Sequence, residues 1–138
     1  LRSLERSDVL GGCFELRFLE ENEALSLQFY GWCTRWVKTP RLVFGDRAIF
    51  VRRSAFDELN GYQLWPILED VDFAMRLASE HRGAFAFLDV PVVTSARRFK
   101  EMGPIRQQIR NMCILSLWYL GFSAHELKDM YSYRAPEK

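Results

Sequence analysis

The chain has 138 residues, enough for one domain with a core of its own but short for a two-part enzyme. A formal net charge of +1 argues against a dedicated nucleic-acid binder, whose affinity rests on many phosphate contacts. Three cysteines at wide, irregular spacing (Cys13, Cys33 and Cys113) read as reduced thiols of a cytoplasmic compartment, and no Cys/His cluster has metal-ligand spacing.

Gly11 to Phe18 reads as a strand opened by a glycine pair. Residues 24–37 have helical spacing, with Phe29, Tyr30, Trp32 and Trp36 expected to pack, and Pro40 ends the segment. Residues 48–51 form a short, fully apolar strand. Ser54 is the expected N-cap of a short helix that closes on Asn60-Gly61 as a left-handed cap. A second such helix is expected over 69–82, stopped at Gly83, followed by strand segments at 84–88 and 90–93. Pro104 suits the first position of a long helix that reaches Leu120, where Gly121 breaks it. Ser123 with Glu126 three residues on is a capping box for a last helix. Strands alternate with helices, so the expected class is α/β or mixed α+β. The expectation is a single partial domain over 1–138, ending in a helical segment at about 104–131. The first residue is Leu1 rather than Met, which sets the expectation of a fragment or processed product. No signal peptide is visible.

Among the carboxylates, helical spacing separates three neighbours. Asp70 shares a face with Phe73, Ala74, Leu77 and Ala78, the apolar stripe that must turn to the protein body. Asp72 pairs with Arg76 at i,i+4 on the outward face, and Glu69 lies at the boundary. Asp70 is therefore the carboxylate expected to point into a cleft from a helix N-terminus, where the dipole would lower its pKa. The plainer reading is that Glu69 and Asp70 only cap the helix. Asp46, after Gly45, is either a turn residue or a ligand-facing loop residue at a sheet edge.

Arg97, Arg98, Lys100, Arg106 and Arg110 stand against Glu101 alone. Guanidinium forks suit a diphosphate leaving group, because they donate paired hydrogen bonds to oxygens on which charge develops. A solvated basic face is the plainer reading, and an anionic membrane surface is a third, since the apolar run at 112–122 follows directly. That run is too short to span a bilayer. Trp65-Pro66 sits in the loop before Glu69, where a ring can stack on a sugar or pack in the core. His81 and His125 are read as structural.

Together these residues resemble the bacterial family 2 glycosyltransferases, in particular a small cytoplasmic subgroup tied by gene context to arsenosugar biosynthesis. The resemblance runs from Gly11-Gly12 to about Tyr131. It is carried by Gly45-Asp46, by Phe50-Val51-Arg52-Arg53 with Phe56 and Gly61, by Glu69-Asp70, and by Thr94-Ser95-Ala96-Arg97-Arg98. It implies the C-terminal portion of a GT-A-type nucleotide-diphospho-sugar transferase fold, without the N-terminal nucleotide-binding half. Asp70 would then be the catalytic base. Arg98 and Phe99, with Arg97, would contact the diphosphate or the acceptor, and Gly45, Asp46, Arg47, Trp65 and Glu69 would line the acceptor side. Three departures stand out: Arg47 where the family has Gln, Phe99 in place of Trp, and Ser95 where the Gln of the Gln-x-x-Arg-Trp element belongs.

The implied reaction is transfer of a sugar from a nucleotide-sugar donor to an acceptor hydroxyl with inversion. A divalent cation (Mg or Mn) is implied for the intact enzyme, with its ligands outside this chain, and the fragment alone is expected to be inactive. The implied location is cytoplasmic, with peripheral membrane contact open. The alternative is a non-catalytic α/β module that binds an anionic ligand or membrane surface through residues 97–110.

Overall fold

Residues 8–19, 25–95 and 103–131 are described in the structure, a computed structural model. Its centre is β1 (Gly11–Phe18), flanked by β2 (Phe50–Val51) and β3 (Phe85–Thr94) in the order β2-β1-β3. β2 runs antiparallel to β1 and β3 runs parallel to it, so the sheet is mixed. The helices among the described residues are α1 (Leu25–Trp36), α2 (Arg53–Glu58), α3 (Glu69–Glu80), α4 (Pro104–Tyr119) and α5 (Ala124–Tyr131). Two single 3-10 turns, Pro40–Leu42 and Gly45–Arg47, lie between α1 and β2. The molecule is thus a mixed α/β protein with a small three-stranded sheet.

The glycine pair is a requirement of the sheet. A Cβ on Gly12 would lie 2.0 Å from the Ala86 carbonyl oxygen on β3. One on Gly11 would lie 2.8 Å from the Phe50 carbonyl on β2. Both neighbouring strands approach β1 at its first two residues, and only residues without a side chain permit it.

Three expectations need correction. The apolar run at 48–51 forms a strand only at Phe50–Val51, because Ala48 closes the preceding 3-10 turn in a left-handed conformation (φ 49°). The two segments at 84–88 and 90–93 are one strand, β3. Leu88 pairs with Phe14 and Pro91 with Glu15, leaving Asp89 and Val90 as an unopposed bulge between them. The aromatics of α1 were expected to pack, yet Trp32 and Trp36 are exposed, their rings 6.5 Å apart.

Helix α3 organises the core. Its Ala74 packs with Cys13 of β1 and Val43, against Phe85 and Phe87 of β3. Its Phe73 and Leu77 pack with Ala55 of α2. Its Val71, with Leu68 just before it, packs with Ile114 and Leu115 of α4 and Leu127 of α5. One 12-residue helix therefore touches the sheet and three other helices, and buried Val71, Phe73, Ala74 and Leu77 explain why its sequence is apolar on one face.

The ends of the helices are set locally. At α2, the Asn60 N–H donates to the Asp57 carbonyl (3.1 Å) and the Gly61 N–H to Phe56 (2.9 Å), the paired pattern of a left-handed terminator. The end of α4 repeats it, with Gly121 N–H to Trp118 (3.0 Å) and Phe122 N–H to Leu117 (3.1 Å). Two residues later the Ser123 N–H donates to Glu126 Oε2 (2.8 Å), and the Glu126 N–H donates to Ser123 Oγ (3.3 Å), the reciprocal capping box expected there. The short helix α2 departs from expectation: it starts at Arg53, and its N-cap is Arg52, which makes no side-chain capping bond.

Candidate functional site

Asp70 is the second residue of α3. Leu68, immediately before the helix, is left-handed at φ 64°, and this torsion turns the chain sharply into the first turn. Asp70 is half-buried, and its carboxylate takes a backbone hydrogen bond at each oxygen. The Gly45 N–H donates to Oδ2 and the Val71 N–H to Oδ1 (2.7 Å). Gly45 and Asp70 are thereby brought together from two distant segments. A Cβ on Gly45 would lie 3.2 Å from Oδ2, so the approach leaves little room for a side chain.

Burial pushes the Asp70 carboxyl above its ordinary 3.8, and the neighbouring Glu69 adds to the rise. The hydrogen bonds from Gly45 and Val71 act in the opposite direction and do not cancel it. The expectation that a helix N-terminus would lower this pKa is therefore overturned: loss of water outweighs the donated bonds. The carboxylate has about four acceptor sites, and the backbone N–H groups of Gly45, Val71 and Asp70 itself take up three of them. The remaining site can accept a hydroxyl proton.

Tyr62 is part of this corner, and nothing in the sequence marked it. Its ring packs on Phe73 (4.9 Å between centroids) and Phe56 (5.7 Å). Burial raises its hydroxyl pKa, and the negative charges of Asp70 and Glu69 raise it further. The one available signal was its position directly after the left-handed Asn60-Gly61 cap, which swings the chain back over α3.

The other expected site residues are placed as follows. Asp46 is exposed in the Gly45–Arg47 turn. Arg47 faces the opposite way. It is 3% exposed, its Nε donates to the Phe14 carbonyl (3.2 Å), and its guanidinium lies 5.6 Å from the Phe87 ring centroid. It ties the turn to the sheet. Glu69 is half-buried beside Asp70, and Trp65 is half-buried with its ring edge-on to Trp118 at 6.1 Å. Arg97, Arg98 and Phe99 lie outside the described residues.

The Asp72–Arg76 pair forms at 2.8 Å, but it is not on an outward face. Arg76 is largely covered. Its two Nη atoms donate to the carbonyls of Leu59 and Gly61, each at 2.8 Å. The guanidinium caps the end of α2 and holds the segment that leads into Tyr62.

Among the described residues, no three His, Cys, Asp or Glu side chains lie close enough to share a metal ion. The described residues thus offer no ligand set for the divalent cation that the resemblance implies. None of the described helices is long and apolar enough to cross a membrane. No protein-family model, curated protein or solved structure matches the chain.

Proposed function

We propose that this chain is the acceptor-side, catalytic-base half of an inverting glycosyltransferase of the GT-A type. It would act with a nucleotide-binding half that supplies the donor site. The observation that carries this reading is the Asp70 carboxylate. It is half-buried, raised in pKa, and fixed by backbone donors from two separate segments. A general base works best when its pKa approaches the operating pH and its position is fixed before the substrate arrives.

In this reading the acceptor hydroxyl sits at a free lone pair of Asp70. Its oxygen attacks the anomeric carbon from the face opposite the diphosphate. The new C–O bond forms as the bond to the diphosphate oxygen breaks. That oxygen leaves with the electron pair, and Asp70 takes the hydroxyl proton. The single displacement inverts the anomeric centre. Tyr62 and Trp65 supply aromatic surface near the acceptor position, and Arg98 with Arg97 would offset charge on the leaving diphosphate.

The test is made on the longest open reading frame that contains this chain, with a panel of nucleotide-diphospho-sugars and release of the nucleotide diphosphate as the readout. Asp70→Asn is expected to lower kcat by about 10²–10⁴, with donor KM little changed. Near-normal turnover by that variant would remove Asp70 from the mechanism.

A further inference from the structure

Tyr62 stands beside the Asp70 carboxylate, and both its ring and its backbone are fixed there. Phe73 is the fourth residue after Glu69 and the third after Asp70, so on α3 it is a neighbour of both. The Tyr62 ring lies on Phe73 at 4.9 Å and edge-on to Phe56 at 5.7 Å. The Gly61 carbonyl belongs to the peptide that carries the Tyr62 N–H, and Arg76 donates to it at 2.8 Å. A second Arg76 bond, to the Leu59 carbonyl at 2.8 Å, fixes the chain just before the Asn60-Gly61 turn.

The far end of the side chain is open. Tyr62 is 42% exposed, and its hydroxyl takes no hydrogen-bond partner among the described residues. Burial and the charges of Asp70 and Glu69 raise its pKa, which keeps the proton on the oxygen at neutral pH. The phenol is therefore a donor, whereas Asp70 has an acceptor site left. The corner thus presents two fixed oxygens of different character. Its charge is negative, because Arg47 and Arg76 are turned away from it, to the Phe14 carbonyl and to Asp72.

We propose that Tyr62 is a specificity-determining residue of the acceptor site, its hydroxyl donating to a second hydroxyl of a neutral polyol whose first hydroxyl faces Asp70. This rests on the assignment of Asp70 as the base and adds the class of acceptor. A simple alcohol satisfies one of the two groups and leaves the other without a partner. A phosphorylated acceptor would set its charge against Glu69 and Asp70. A sugar or cyclitol carries two hydroxyls and no charge, so it satisfies both groups. Because the ring and backbone of Tyr62 are fixed before the acceptor arrives, little freedom is lost on binding.

The test titrates the full chain with methyl glucoside, methyl galactoside, methyl mannoside and myo-inositol, and with cyclohexanol and glucose phosphate as contrasts, reading amide NMR shifts. The amides of Gly45, Tyr62 and Val71 are expected to move with at least one of the neutral polyols and with neither contrast. Tyr62→Phe keeps the ring packing and should weaken that binding about fivefold, the effect of one neutral hydrogen bond. Tyr62→Ala should weaken it about tenfold or more. Asp70→Asn keeps an acceptor oxygen and should hold the affinity within about threefold. The two readings therefore fail separately: near-normal turnover of Asp70→Asn removes the base, and it leaves the effect of Tyr62→Phe on affinity as it was. Three results overturn the proposal: no shift at these amides with any of the polyols, binding of either contrast as tight as that of the polyols, or wild-type affinity in Tyr62→Phe.

Discussion

Asp70 stands between two opposing forces, the loss of water around its carboxylate and the donation of backbone N–H bonds to it, and the first prevails. In the proposed enzyme the acid limb of kcat/KM should therefore lie above the ordinary 3.8, and a pH–rate profile would check it. The same shift has a consequence for folding. A carboxyl whose pKa is higher in the folded state binds its proton more tightly there. Its stabilising contribution is complete below the unfolded pKa and is lost as pH rises through the folded value. Glu126 behaves oppositely. Its hydrogen bonds from Ser123 lower its pKa, so its contribution is present above the unfolded value and lost as pH falls through the folded one. Gly45→Ala should displace the Asp70 carboxylate while leaving the core intact, so activity should fall much further than thermal stability. Comparing kcat/KM with Tm for that variant separates the two effects. Of this corner, Asp70 was legible from helical spacing, because its face is shared with Phe73, Ala74 and Leu77. Tyr62 was not, because its closeness to Asp70 arises from packing on Phe56 and Phe73, contacts that no local pattern announces.

At the scale of elements, what could be read was what is locally encoded. The glycine pair of β1, Pro104 at the start of α4, Gly121 after its end and the Ser123–Glu126 box are each recognisable within a few residues, and each is where expected. Ser123→Ala should cost about 1 kcal/mol through loss of the cap, measurable by denaturant unfolding. Features that depend on a partner segment were read less well. Ala48 is apolar and next to a strand, yet the Gly45–Arg47 turn twists it out of the strand. Asp89 looked like a break because a bulge and a turn favour similar residues, whereas pairing with β1 continues beyond it. Arg76 looked like one half of a surface ion pair, and its reach to Leu59 and Gly61 depends on how α2 sits against α3. Arg76→Lys keeps the charge but loses the fork, and should destabilise the protein by about 2 kcal/mol in the same assay.

At the scale of the molecule, three core clusters among the described residues each include residues of α3, so all three depend on that helix. Leu77→Ala should cost about 3 kcal/mol, and fluorescence and circular dichroism should still report one shared transition. Two separate transitions would show that the α4–α5 side unfolds by itself. The sheet is also intolerant at one point. Gly12→Ala forces a Cβ against the Ala86 carbonyl, and should destabilise by about 3 kcal/mol as β1 and β3 separate.

The corner between α4 and α5 has a consequence for the order of events during folding. Its terminator at Gly121 and its capping box at Ser123 use only bonds between residues a few positions apart. The sheet is of the opposite kind, since Gly11 must find Phe85 across most of the chain before any pairing between β1 and β3 begins. Closing a loop of that size is entropically unfavourable, and contacts between distant residues form late. The α4–α5 corner is therefore the element that can form first, on the microsecond scale of helices, with the sheet following. Pulse-labelled hydrogen exchange should find the amides of Gly121, Phe122 and Leu127 protected before those of β1, and the reverse order would show that the sheet nucleates the fold.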